Sequence, residues 1–230
     1  MLAQGNLMQI CVLFGTPVYL SGSYFLLLLF ISFRELQYGR LQEAFLLAFA
    51  VTLSLIVHEF GHVWAAKLNG HRSRVVLVGM GAMTIPDGES NGWKGVRLSL
   101  AGPAAGFLLA FAAYYGFAPA KNLPFWDYVL GSGYIADGTL WPYLQLILVK
   151  IGIFWGIFNL LPILPMDGGH ALRDFLTTFM RPYKANAIAT RVSVAVAIPL
   201  IFLLFKVGFT FGAILVAFMT WQNFESIRGK

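Results

Sequence analysis

Apolar residues fall along this chain in long blocks separated by short polar turns, and the lengths of the blocks set the predicted elements. The run VYLSGSYFLLLLFISF over 18–33 is a little short of the ~20 residues a membrane crossing needs, and it serves if tilted or extended at its ends. After a turn holding Arg34, Glu35 and Arg40, a second helix is predicted over Leu41–Leu68, antiparallel to the first. Further helices follow at about 96–117, 140–161, 187–204 and 207–221, the fourth stopped by Pro162 and Pro165. Residues 1–17 are apolar but interrupted by Gly5, Gly15 and Pro17, which suits a short strand or an interfacial piece. VVLVGMGAMTI over 75–85 is β-branched, glycine-broken and too short to span, so it reads as a strand or hairpin closed by the turn residues 86–91. Its backbone must be shielded by protein or line an aqueous cavity, because hydrocarbon cannot satisfy a sheet edge. Residues 118–139 read as a loop whose Trp126, Tyr128 and Tyr134 form an interfacial belt. The expected fold is an all-α polytopic membrane protein with about six transmembrane helices. A small membrane-associated β element lies between helices two and three, and residues 1–230 form a single domain.

Composition agrees with this pattern. The chain is 58% hydrophobic and 11% charged, far too apolar for an ordinary soluble domain. The net charge of +6 does not point to nucleic acid, since the basic residues sit in short loops where they set orientation instead. Lys67, Arg72, Arg74, Lys94, Arg97, Arg173, Arg181, Lys184, Arg191, Arg228 and Lys230 fall on one side of a six-span arrangement, against Arg34, Arg40, Lys121 and Lys206 on the other. The richer side is expected to be cytoplasmic, with both termini. The N-terminus has no basic n-region or small-residue cleavage site, so the first apolar segment is expected to stay in the mature protein. Cys11 is the single cysteine, which excludes an intramolecular disulfide; it is expected to be a small buried apolar side chain.

One block breaks the pattern. His58, Glu59 and His62 interrupt the second helix as His-Glu-x-x-His, following the uncharged run AFLLAFAVTLSL. Four residues make just over one turn, so both imidazoles project from one face and can bind one metal ion. Glu59 sits beside that face, where a carboxylate can take a proton from an activated water. The competing reading is a satisfied polar cluster inside a bundle, disfavoured because ionisable groups in lipid persist when ligated, paired or lining a wet cavity. Zinc needs at least one more protein ligand. His62 lies five residues before Lys67, about 8 Å along a helix, and Asp167 lies six before Arg173, so the two reach a similar depth. Asp167 in Asp-Gly-Gly is therefore the candidate third ligand, against the alternative of a plain turn, whereas Asp87 is expected to be solvated.

HEFGH at 58–62, LAGPAAG at 100–106 and NLLPILPMDGGH at 159–170 together resemble the site-2 protease family of intramembrane zinc metalloproteases, in order and at comparable spacing. The resemblance implies that His58, His62 and Asp167 hold one Zn2+, that Glu59 is the catalytic glutamate, and that Asn159 supports substrate or the developing oxyanion. It implies a metalloendopeptidase cleaving within or near transmembrane segments of a protein substrate in the lipid bilayer; the basic residues, for their part, put its opening on the cytoplasmic side of a cell membrane. Gly106 departs from the asparagine many members carry there, and no PDZ or CBS domain is expected. An oligomer or a regulatory membrane partner is compatible with the pattern. Val75, Val76, Leu77, Val78, Gly79 and Met80 are expected to pair with an unwound substrate segment by β-addition. The rival readings are a silent membrane binding protein of the same fold and a metal transporter; the second would carry polar residues on to the opposite face.

Overall fold

A computed structural model describes residues 7–116, 124–130 and 140–228. The chain divides into two compact units, residues 1–88 with 101–156, and residues 89–100 with 157–230.

The first described element of the first unit is a β-hairpin, and its strand at 7–13 falls within residues 1–17, read from sequence as a short strand or an interfacial piece. Strands β1 (Leu7–Leu13) and β2 (Thr16–Ser21) pair antiparallel across a turn in which Phe14 and Gly15 both take positive φ, 48° and 75°. Helix α1 (Ser23–Gln37) and helix α2 (Leu41–Leu68) follow, and they bring the chain back to strands β3 (Ser73–Val78) and β4 (Gly81–Pro86). β3 pairs parallel with β2 and antiparallel with β4, giving one sheet in the order β1-β2-β3-β4.

Two expectations are corrected here. The β element is a four-stranded sheet, half of it from the N-terminal region, and the first helix begins at Ser23 because residues 18–20 are claimed by pairing with 75–77. VYLS suits a strand as well as a helix by pattern, so the distant partner decides. The residues expected to receive a substrate strand are also placed differently. Val75, Val76 and Leu77 face Val18, Tyr19 and Leu20 on one side and Thr84, Met83 and Ala82 on the other. Their strand is internal and has no vacant edge; Val78 pairs with Gly81, and Gly79 and Met80 form the turn. The sheet's outer strands are β1 and β4.

Register explains how the sheet seats on α2. Alternate residues share a face, so Val18–Val75–Thr84 and Leu20–Leu77–Ala82 form two cross-strand rows. Val18 and Val75 pack with Val63 of α2, while Leu77, Leu20 and Ala82 pack with Leu55. Polar ties fix the placement: Lys67 Nζ donates to the Phe14 carbonyl (2.6 Å), and the Gly79 amide donates to Ser23 Oγ (3.0 Å). Cys11, on the outer strand β1, is exposed rather than buried.

Helix α3 (Gly92–Gly116) begins in the second unit and enters the first at Ala101; a short helix α4 (Phe125–Leu130) lies within the stretch read as loop. The side chains of Trp126 and Tyr128, and Tyr134 altogether, lie outside the described residues. Helix α5 (Leu140–Asn159) packs on α3 through small residues: a Cβ on Gly152 would stand 2.7 Å from the Gly106 carbonyl oxygen. Buried Gln145 donates to the carbonyls of Ala113 and Tyr114 (3.1 Å each), satisfying an amide that would be costly unpaired.

The second unit holds helices α6 (Asp167–Leu176), α7 (Pro182–Lys206) and α8 (Thr210–Arg228), with a core of Ile163, Met166, Ala197 and Val216. Buried Asp174 is bonded by the Arg173 guanidinium (2.8 Å); burial pushes its carboxyl above the usual range, and Arg173 opposes that shift. Among the described residues four helices, α2, α3, α5 and α7, are long and apolar enough to cross a membrane. Large apolar side chains such as Phe45, Leu108 and Phe202 are about 70% exposed on these helices, as lipid contact requires.

Candidate metal centre

After Glu43 in its first turn, α2 carries no charge from Ala44 to Val57, and the next titratable residues before Lys67 follow at once: His58, Glu59 and His62. They are 3%, 5% and 8% exposed, too buried to be explained as a solvated face. The helical spacing sets the two rings one turn apart and edge to face, with centroids 5.0 Å apart and planes at 75°. His58 Nε2 and His62 Nε2 come within 3.2 Å of each other. Two nitrogens bound to one tetrahedral zinc at ~2.0–2.1 Å stand about 3.3 Å apart, so the pair fits a single ion without rearrangement.

A neighbouring helix leaves room for that ion. Gly102 of α3 faces the two Nε2 atoms; a Cβ there would stand 2.7 Å from His58 Nε2 and closer still to His62 Nε2. Gly61 allows α3 to come that near, because a Cβ on it would run into the Ala101 backbone carbonyl. One glycine from HEFGH and one from LAGPAAG thus create the close approach and the space. Gly106 is not crowded: a Cβ would lie 3.9 Å from His58 Nδ1, in ordinary contact.

Glu59 is held from the sheet. Thr84 Oγ1 of β4 donates toward Glu59 Oε2 (2.7 Å) and toward the Glu59 backbone carbonyl oxygen (3.0 Å). The carboxylate therefore has a defined position one residue from His58. Neither Thr84 nor Gly102 is singled out by the motif. The available signals were a lone hydroxyl in an aliphatic strand and the glycine within LAGPAAG.

Asn159 and Asp167 belong to the second unit. Asn159 is the last residue of α5, and Asp167 opens α6 after Met166, which caps it in an extended conformation (φ −70°, ψ 160°). A carboxylate in a first turn is favoured by the helix dipole. Gly168 and Gly169 are needed for closeness rather than for special torsions: a Cβ on either would strike the backbone of Leu160–Leu161 or Ile163–Leu164. That loop is itself clamped. The Leu164 amide donates to Ser193 Oγ of α7 (2.9 Å), and Asn223 Nδ2 of α8 donates to the Leu164 carbonyl (2.7 Å). The structure therefore gathers His58, Glu59 and His62 in the first unit and sets Asn159 and Asp167 at helix ends in the second.

Comparison with known proteins extends this geometry to ancestry. A zinc metalloprotease of Methanocaldococcus jannaschii, MJ0392, is 29% identical over 154 residues, covering 66% of this chain and 40% of that protein. Rip3 of Mycobacterium tuberculosis is 31% identical over 181 residues, 76% of this chain and 43% of Rip3. The chain thus matches less than half the length of either relative. A solved structure, the site-2 protease from Methanocaldococcus jannaschii, shares the fold at a TM-score of 0.62 and 23% identity, over 96% of this chain and 95% of that one. The model of Peptidase family M50 matches residues 45–200, a stretch that includes both HEFGH and MDGG. The chain belongs to peptidase family M50.

Proposed function

We propose that this chain is the membrane-embedded catalytic domain of a zinc metalloprotease of site-2 type, hydrolysing peptide bonds within or near transmembrane segments of other proteins. The observation that carries the reading is the pair of buried imidazole nitrogens 3.2 Å apart, with a carboxylate fixed on the adjoining residue. His58 and His62 hold the ion, and Asp167 is the third ligand; its support is the family motif and the depth it shares with His62 along the sequence. Bound zinc supplies a Lewis acid that polarises the scissile carbonyl and brings water near its working pKa. Glu59 accepts a proton from the attacking water through its carboxylate as the carbon–oxygen bond forms. It returns that proton to the amine nitrogen as the carbon–nitrogen bond breaks. Asn159 donates a hydrogen bond to substrate or to the developing oxyanion.

α1 and α8 complete six spans beside the four helices of sufficient length. α1, with 15 residues and about 22 Å, crosses at the thin end of the range or with its flanks. Substrate must present an extended segment, since helical carbonyls are already hydrogen-bonded. The outer strand β4, carrying the residue that touches Glu59, is the edge for β-addition, in place of β3. The site opens toward the cytoplasm of a cell membrane.

The deciding experiment is cleavage of a transmembrane substrate by the zinc-loaded chain and by Glu59→Gln. Retained zinc with cleavage reduced at least ~10³-fold is the expected result, within the range seen when a general base is lost. Equal processing by both forms removes Glu59 from the chemistry.

A further inference from the structure

Thr84 is the polar member of an aliphatic row. Val18, Val75 and Thr84 stand side by side across three strands, and the two valines pack on Val63 of α2. Packing alone would put valine at position 84 as well, because threonine has the same branched shape and brings a hydroxyl that costs free energy to bury unless it is bonded. Here it is bonded to a single residue by two routes, the Glu59 carboxylate at 2.7 Å and the Glu59 backbone carbonyl at 3.0 Å. One hydroxyl proton shared between these acceptors ties the end of the glutamate side chain to its own backbone. Glutamate has three rotatable torsions, and without such a tie its carboxylate would sample positions away from the imidazoles.

We propose that Thr84 is a positioning residue for the proton-transferring glutamate, holding the Glu59 carboxylate in the rotamer that works beside His58 and His62. Because Thr84 belongs to β4, an outer strand of the sheet among the described residues, the strand proposed to receive an extended peptide is also the one that orients the base. The inference rests on the reading of Glu59 given above and adds a residue that lies outside the three motifs.

The test uses the full chain, zinc-loaded in detergent micelles, with a synthetic transmembrane peptide that the wild type cuts. Thr84→Val keeps the shape and removes the hydroxyl; Thr84→Ser keeps the hydroxyl. Thr84→Val is expected to lower kcat roughly 10- to 100-fold, the factor that one hydrogen bond to a charged group represents, with KM unchanged. Zinc per chain and thermal midpoint should stay at wild-type values, and Thr84→Ser should restore kcat to within about threefold of the wild type. Should Thr84→Val misfold, Thr84→Ala, which only removes atoms, takes its place against the same serine rescue. Wild-type kcat in Thr84→Val, serine as impaired as valine, or a loss of zinc that accounts for the loss of rate would each overturn the proposal. Glu59→Gln run in parallel separates the two levels. An active Glu59→Gln enzyme defeats the reading of the glutamate, while an inactive one beside a fully active Thr84→Val defeats the positioning role alone.

Discussion

Two glycines on the imidazole side of α2 do different work, and substitution should separate them. A methyl on Gly102 would meet the ends of two histidine side chains, which can swing away and leave the backbone where it is. Gly102→Ala is therefore expected to fold with a near wild-type thermal midpoint but to bind zinc more than ~100-fold more weakly, beyond the range for loss of an outer-shell contact. Metal titration of the purified variant checks this. A methyl on Gly61 would instead meet the Ala101 carbonyl, which is backbone and cannot move alone. Gly61→Ala should cost about 1–3 kcal/mol of stability through overpacking, visible as a lowered unfolding midpoint with or without metal. The motif letters show that both positions are glycine. Which one guards the metal space and which one the helix contact depends on what lies opposite.

At the scale of elements, α7 and α8 gain a role that their sequences do not announce. Both read as plain apolar spans, yet each sends one polar side chain to the same residue of the loop before Asp167. Ser193 accepts from the Leu164 amide and Asn223 donates to its carbonyl, so the loop leading to the proposed third ligand is gripped through the two peptide groups that flank Leu164. Asn223→Leu removes the donor and leaves that carbonyl with an apolar neighbour, at a cost of about 1–3 kcal/mol. The expected signature is a lower thermal midpoint together with reduced zinc affinity. An unchanged affinity would detach this clamp from the metal centre. The sheet teaches the complementary lesson. A hairpin at 75–85 was legible from β-branched residues split by glycines, but β2 was not, because VYLS satisfies a strand and a helix equally. Its parallel partner lies 57 residues away, Val18 against Val75, and no local window contains both.

For the molecule as a whole, the governing fact is an exterior lined with phenylalanine and leucine and an interior that hides histidine and glutamate. The distribution of lysine and arginine predicts which ends face the cytoplasm, and the single cysteine makes the test simple. In a Cys11→Ser background, cysteines placed at Asn69 and at Thr178 should react with a membrane-impermeant maleimide only from the cytoplasmic side. One placed at Gly39 should react only from the other. Labelling of Asn69 from the outer side would reverse the orientation and move the site's opening with it.

The sequence by itself determined the membrane class, the long helices and the pairing of His58 with His62, because hydropathy and helical spacing are local properties that need no distant partner. Tertiary structure alone decided that β3 is enclosed by β2 and β4, that Gly102 leaves space beside two imidazole nitrogens, and that Thr84 grips Glu59. Those outcomes depend on backbones meeting across long stretches of chain, where register and closeness of approach, rather than residue type, select which atoms touch.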